Sequence, residues 1–209
     1  YCAQGMENLC DAPVFTGFTR DGGYATHVFA DSRFCLAIPA NFGDVEAARK
    51  TARRFNEYAI ELAHAHPGRF GVFAAVPLPD TDGSLSEIAY ALGLLGVDGV
   101  GLLSSYEDKW LGDPAFAPVF DELNRRKATI FFHPTVPGCC TNLLPDLNPP
   151  LIEYPFDTTR AIMSLVFGGT LQRCPDLKLI FAHGGGTIPM LAHRVSNLVR
   201  VRKDLAARM

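Results

Sequence analysis

An alternation of short apolar runs with amphipathic stretches is the feature that most restricts what this 209-residue chain can fold into. Phe70 to Leu78, Val97 to Leu103, Ala128 to His133 and Leu177 to Ala182 are β-rich runs without polar alternation. Such runs mark parallel strands buried on both faces. Each run precedes a helical stretch. Leu85, Ile88, Ala89, Leu92 and Leu95 share one helix face, and Phe116, Val119, Phe120 and Leu123 share another. Two more helices are expected over about 156–172 and 187–208. An earlier helix starts near Asp44, its expected N-cap, carries Val45, Ala48, Ala52, Phe55, Ala59 and Leu62 on one face, and ends at Pro67-Gly68. Ser84 and Glu87 have capping-box spacing, Gly96 closes that helix, and Asp113-Pro114 opens the next. Phe34 to Ile38 is a fifth candidate strand. The fold class is therefore α/β, and the pattern alone admits either a doubly wound sheet or part of a barrel. No Gly-x-Gly-x-x-Gly follows a strand, so a dinucleotide site has no support.

Composition narrows the partners. The net charge of −3 provides no basic excess for nucleic acid or an anionic membrane surface. No apolar run approaches the roughly 20 residues that a membrane helix needs, and the first residues lack the order of a signal peptide. Six scattered cysteines in a chain of this size suit a reduced, cytoplasmic setting. The adjacent pair Cys139-Cys140 reads as two unpaired loop thiols rather than a redox switch.

Two histidines end strands. His133 closes Ala-Thr-Ile-Phe-Phe-His, and His183 closes Leu-Ile-Phe-Ala-His ahead of Gly184 to Gly186. Active-site groups of parallel α/β folds gather at the carboxyl ends of strands, so both imidazoles are expected in one mouth, as metal ligand or as general acid and base. The three glycines let backbone approach a ligand closely. Arg194, eleven residues beyond His183, reads locally as a surface cation, and Asp157 as the cap of its helix. His64 and His66 sit at a helix end away from the strand mouths. Residues two apart on a helix do not share a face, so they are not a metal pair.

The ordered set Arg-Arg-Phe-Asn-Glu-Tyr-Ala, His-Pro-Gly-Arg-Phe-Gly, Ala-Val-Pro-Leu-Pro-Asp, Gly-Val-Asp-Gly-Val-Gly-Leu-Leu, Leu-Gly-Asp-Pro-Ala-Phe, Phe-Phe-His-Pro-Thr, Pro-Phe-Asp-Thr-Thr-Arg-Ala and Phe-Ala-His-Gly-Gly-Gly resembles the amidohydrolase-related family typified by aminocarboxymuconate-semialdehyde decarboxylase. It resembles still more the branch with fungal 6-methylsalicylate decarboxylases, and the resemblance covers about residues 46–209. It implies an incomplete (β/α)8 TIM-type barrel of the metal-dependent hydrolase kind. It also implies a divalent metal, zinc by the family's habit, and non-oxidative decarboxylation of an aromatic or unsaturated carboxylic acid. By the same resemblance His133 is a metal ligand and His183 the catalytic acid/base. Arg194 reaches a substrate carboxylate across a homodimer interface. The family's His-x-His and aspartate ligands belong to its first and eighth strands, which this chain is expected to lack along with the seventh. Hydrolysis on the same site, or an inactive mosaic fragment, are the alternatives.

Residues 1–45 are loop-rich and resemble a zinc-dependent medium-chain alcohol dehydrogenase, on Tyr-Cys-Ala-Gln-Gly-Met-Glu-Asn-Leu-Cys and Phe-Thr-Gly-Phe-Thr-Arg-Asp-Gly-Gly-Tyr-Ala-Thr. That resemblance implies a segment of different origin from 46–209, with Cys2 and Cys10 matching the last two of four structural-zinc cysteines; two thiolates do not close a tetrahedral site within one chain, so the pair reads as two free loop thiols rather than a zinc remnant. It also adds alcohol dehydrogenase as a further functional alternative.

Overall fold

The computed structural model describes residues 44–107, 109–140, 144 and 146–207. The chain divides into two compact units, Tyr1–Phe42 and Gly43–Met209, and every described residue belongs to the second. The expected strand Phe34 to Ile38, the dehydrogenase-like segment before Asp44, and Cys2 and Cys10 lie outside the described residues.

Helix α1 spans Asp44–Ala65 and begins on Asp44 itself. Strand β1 (Phe73–Ala74) leads to α2 (Thr81–Tyr90), which runs on through a π-helical turn, Ala91–Leu95, to strand β2 (Gly99–Leu103). Gly96 closes that helix in the left-handed conformation, as its position implies. Strands β3 (Ser105–Tyr106) and β4 (Lys109–Trp110) form a small antiparallel pair. Asp113 accepts from the Ala115 N–H and caps a 3-10 turn that opens α3 (Ala117–Arg125). Then follow β5 (Thr129–His133), α4 (Pro149–Phe167), α5 (Thr170–Arg173), β6 (Lys178–Phe181), α6 (Ile188–Val201) and α7 (Lys203–Ala206).

The sheet order is β1-β2-β5-β6, all parallel, without a reversal. A doubly wound sheet reverses at a switch point; a (β/α) barrel adds each strand beside the last. The observed order is the barrel's. The sheet faces agree with it. Val100, Leu102, Ile130 and Phe132 are at most 2% exposed and pack in a core with Ile88 of α2, Val119, Phe120 and Leu123 of α3, and Ala161 and Leu165 of α4, while Ala74 is fully buried in a smaller cluster with Val72, Ala91 and Val97. On the other face Phe73, Leu103 and Ile180 are 37–46% exposed. The expectation of strands buried on both faces thus holds for one face among the described residues. The other, apolar but open, is the face a barrel turns inward.

Four elements have limits that differ from the sequence reading. The first strand shrinks from Phe70–Leu78 to two residues, because β1 pairs only with β2 among the described residues and Pro77 and Pro79 have no N–H to extend a ladder. The fully buried Asn56 of α1 takes the next peptide instead. Its Oδ1 accepts from Ala75 N at 2.8 Å, and its Nδ2 donates to Ala75 O at 2.9 Å. The second helix begins three residues early because Asp80, accepting from Gly83 N, outcompetes Ser84 as cap. Glu87 then turns inward, to Asn56 Nδ2 and Arg53 Nε, both at 2.9 Å. The fourth helix starts at Pro149, not near Phe156, since a first helical turn tolerates proline, whose missing N–H would have no partner there. It ends at Phe167, where Gly169, at φ 74°, starts α5 separately. The last helix breaks at Arg202.

Two stability predictions follow from these contacts. Asn56→Ala strips the Ala75 peptide and Glu87 of their partners and is expected to destabilise by about 2–4 kcal/mol in urea unfolding. Hydrogen bonds from Arg125, and then Arg126, hold the Glu122 carboxyl down to about 2, against an ordinary 4.5. A lowered carboxylate stabilises fully above its ordinary value and loses that contribution as pH falls through its folded value. The stability gap between the wild type and Glu122→Gln is therefore expected to close between pH 4.5 and about 2 in unfolding series.

Candidate functional site

His133 ends β5 and His183 follows β6 by two residues, in a 3-10 turn over His183–Gly185. The parallel ladder continues past the strand ends, with Ser104 N donating to His133 O at 2.9 Å and Ala182 N to Phe132 O at 3.1 Å. The ends of β2, β5 and β6 are thereby held level, and the two rings meet with centroids 6.4 Å apart. Tyr154 of α4 completes a triangle, 6.0 Å from the His133 ring and 6.3 Å from that of His183. Sequence reasoning missed Tyr154 because it treated residues before Phe156 as loop. The Pro149-Pro150 pair was the available signal that a helix starts upstream and carries Tyr154 inward.

Beneath His133 lies a cavity of about 460 Å³, walled by Phe55, Phe73, Val76, Leu78, Leu103, Tyr106 and Phe131. Its lining is apolar with His133 at the rim, a surface suited to a flat, hydrophobic ring. Burial pushes the Tyr106 hydroxyl up to about 12, although it accepts from Leu103 N at 2.9 Å, so it stays protonated across the neutral range.

Polar contacts fix the loops. His133 Nδ1 lies 2.8 Å from Pro134 O. A carbonyl only accepts, so Nδ1 carries the proton and Nε2 presents its lone pair. Thr135 N donates to Ser104 Oγ at 2.9 Å, and Ser104 Oγ donates in turn to Asp157 Oδ2 in a short contact. Asp157 is fully buried in α4 and also receives Ser105 Oγ at 3.2 Å and Trp110 Nε1 at 2.8 Å. It sits in the third turn of its helix, so the expectation that it is the cap is wrong; Asn148 stands at that position. Two residues on, Thr159 Oγ1 accepts from Thr187 N at 2.8 Å and donates to Pro155 O at 2.8 Å, which fixes the chain after the triple glycine.

That glycine segment is conformationally demanding. His183 has φ 54°, and Gly186 has φ 64° with ψ −125°. A Cβ on Gly186 would lie 2.2 Å from Pro155 O and 2.6 Å from Thr159 Oγ1. Only glycine fits there, because no side chain leaves room for α4.

Arg194 is exposed on α6. His64 lies in the last turn of α1 and His66 just beyond it. Cys139 and Cys140 are free, with sulfurs 2.8 Å apart; sharing that hydrogen bond raises the Cys140 thiol above its usual range. Among the described residues no three His, Cys, Asp or Glu side chains converge as a metal site. No helix among them is long and apolar enough to cross a membrane.

The profile of the amidohydrolase family matches residues 19–205. The decarboxylase macB of Penicillium terrestre is 43% identical over 164 residues, covering 74% of this chain and 48% of its own. The 6-methylsalicylic acid decarboxylase of Penicillium expansum is 42% identical over 159 residues, covering 75% and 49%. A 5-carboxyvanillate decarboxylase of Novosphingobium aromaticivorans, solved with bound manganese, superposes with a TM-score of 0.72 at 23% identity, over 77% of this chain and 47% of its own. The chain spans about half the length of the curated relatives it matches. The profile match begins inside the segment that resembles alcohol dehydrogenase.

Gly186→Ala is expected to cost about 3 kcal/mol or more, from the forced backbone conformation and the clash with α4. Gly68→Ala is the control. It shares a positive φ, but its added Cβ meets nothing within 4 Å, so only the conformational part, about 1 kcal/mol, should appear in the same unfolding assay.

Proposed function

This chain belongs to the amidohydrolase family, and we propose that it contributes the His133–His183 part of an active site that decarboxylates an aromatic or unsaturated carboxylic acid. The carrying observation is the meeting of the two imidazoles at adjoining strand ends, 6.4 Å apart, with His133 lining an apolar cavity of about 460 Å³. The names of the relatives, which include a 6-methylsalicylic acid decarboxylase, support the same reaction class.

In this reading the ring of the acid lies against Phe73, Leu103 and Phe131, and Tyr154 flanks both imidazoles. His183 delivers a proton to the carbon that bears the carboxylate. The carbon–carbon bond then breaks and carbon dioxide leaves, so that the acid anion and one proton become the decarboxylated ring and carbon dioxide. Arg194, exposed on α6, is proposed to hold a substrate carboxylate in a neighbouring subunit of a homodimer. The scatter of six cysteines along a chain of this size is the support for proposing a reducing, cytoplasmic setting.

A family metal would draw on His133 Nε2, and on donors beyond the described residues, which by themselves form no metal site. Zinc and manganese are both candidates, and no step is assigned to either. An alcohol dehydrogenase reading draws on residues 1–45 alone and has no observation in its favour among the described residues.

The deciding experiment measures carbon dioxide released from 6-methylsalicylate, together with bound metal per chain, in wild type, His183→Ala and His133→Ala. His183→Ala is expected to lower release by about 100-fold or more while retaining metal, and His133→Ala to lose metal as well. Equal release by the wild type and His183→Ala would overturn the assignment.

A further inference from the structure

The contacts behind His133 form one directional chain. The Pro134–Thr135 peptide receives the His133 Nδ1–H on its oxygen, 2.8 Å away, and passes its own N–H to Ser104 Oγ, 2.9 Å away. The Ser104 hydroxyl in turn points its proton at Asp157 Oδ2. Every donor faces the same way, toward a carboxylate that is fully buried and held from the other side by Ser105 and Trp110. Ser104, 1% exposed, also clamps the preceding peptide by donating its own N–H to His133 O at 2.9 Å.

We propose that Asp157 and Ser104 are positioning residues, which impose the Nδ1–H tautomer and ring orientation of His133 through the Pro134–Thr135 peptide. Hydrogen bonds aligned head to tail polarise one another, most of all in a site of low dielectric. A reversed Ser104 hydroxyl would aim its proton at Thr135 N–H and leave a buried carboxylate oxygen with one donor fewer, which costs more than a neutral loss. The carboxylate therefore selects the hydroxyl direction. The hydroxyl holds the peptide, and the peptide oxygen accepts only from Nδ1. The outcome is a histidine with its lone pair on Nε2 and its ring held in one orientation at the cavity it lines. Oriented imidazoles of this kind are what metal ions and proton-transfer sites use, with a carboxylate or carbonyl behind the other nitrogen. Here the carboxylate acts at a distance, through a serine and a peptide. Asp157 has no contact with the ring.

The link to a ligand rests on the reading of His133 given under Proposed function; the tautomer does not. The test separates them. Proton–nitrogen correlation spectra assign the His133 tautomer in wild type, Ser104→Ala, Ser104→Thr and Asp157→Asn at one mildly alkaline pH. The single tryptophan, Trp110, donates to Asp157 Oδ1, so its indole N–H resonance reports whether the fold and that contact survive. The wild type is expected to show one species with the proton on Nδ1. Ser104→Ala should give a mixture with Nε2–H and shift the Thr135 amide upfield, with the Trp110 signal retained. Ser104→Thr should restore the wild-type ring. Asp157→Asn should give the mixture and move the Trp110 signal too. A proton on Nε2 in the wild type overturns the proposal without any variant, and so does an unchanged Nδ1–H species in folded Ser104→Ala. If Asp157→Asn does not fold, the two Ser104 variants decide. Cobalt binding, measured alongside, reports on the ligand reading separately. A tautomer that shifts as expected in a protein that takes no metal would keep the relay and refute the metal role.

Discussion

The burial of one sheet face against α2, α3 and α4 sets everything else in this structure. Val100, Leu102, Ile130 and Phe132 alternate with Gly101, Leu103, Phe131 and His133, and the parallel register brings like faces together, Leu102 beside Phe132 and Leu103 beside His133. Because side chains alternate with a period of two, sealing the first set under helices directs the second set to the opposite face. His133 reaches the cavity because Phe132 reaches the core. A shift of one residue in either strand would exchange them.

Helix α4 converts that layered packing into a site. Its Asp157 side chain holds the end of β2 and, through Ser104, the chain after β5; its Thr159 holds the chain after β6. The Phe-Asp-Thr-Thr segment is thus a brace between two loops that each begin with a histidine. A buried carboxylate is costly unless fully partnered, and this one is partnered by the loops it fixes, so its cost and their order are two sides of one interaction. The backbone conformations of His183 and Gly186 are held in the same way, by the close approach of Pro155 and Thr159.

Much of this was legible beforehand, for local reasons. The strands at Gly99–Leu103, Thr129–His133 and Lys178–Phe181 lie within two residues of their expected limits, since a short apolar run bounded by Gly, Pro or charge has little freedom of assignment. Gly96 and Asp113 cap where their chemistry places them. The failures were also local in origin. Ser84 with Glu87 imitates a capping box, but Asp80 lies closer to the true start and Glu87 has a tertiary partner in Asn56. Pro149-Pro150 reads as loop until its place in a first helical turn is known. Asp157 looks like a cap because its donors are 47 to 53 residues away in sequence.

The sequence by itself determined the alternating strand–helix units, the placement of His133 and His183 at strand ends, and the family, because these depend on residue spacing within a few turns of chain. Tertiary structure alone decided that the sheet winds in one direction, that one face is open, that Tyr154 joins the two imidazoles, and that Asp157 reaches His133 through Ser104. Each of these depends on contacts between segments tens of residues apart. Periodicity carries no information about which distant segment comes to rest alongside, and only the packing of the whole layer selects it.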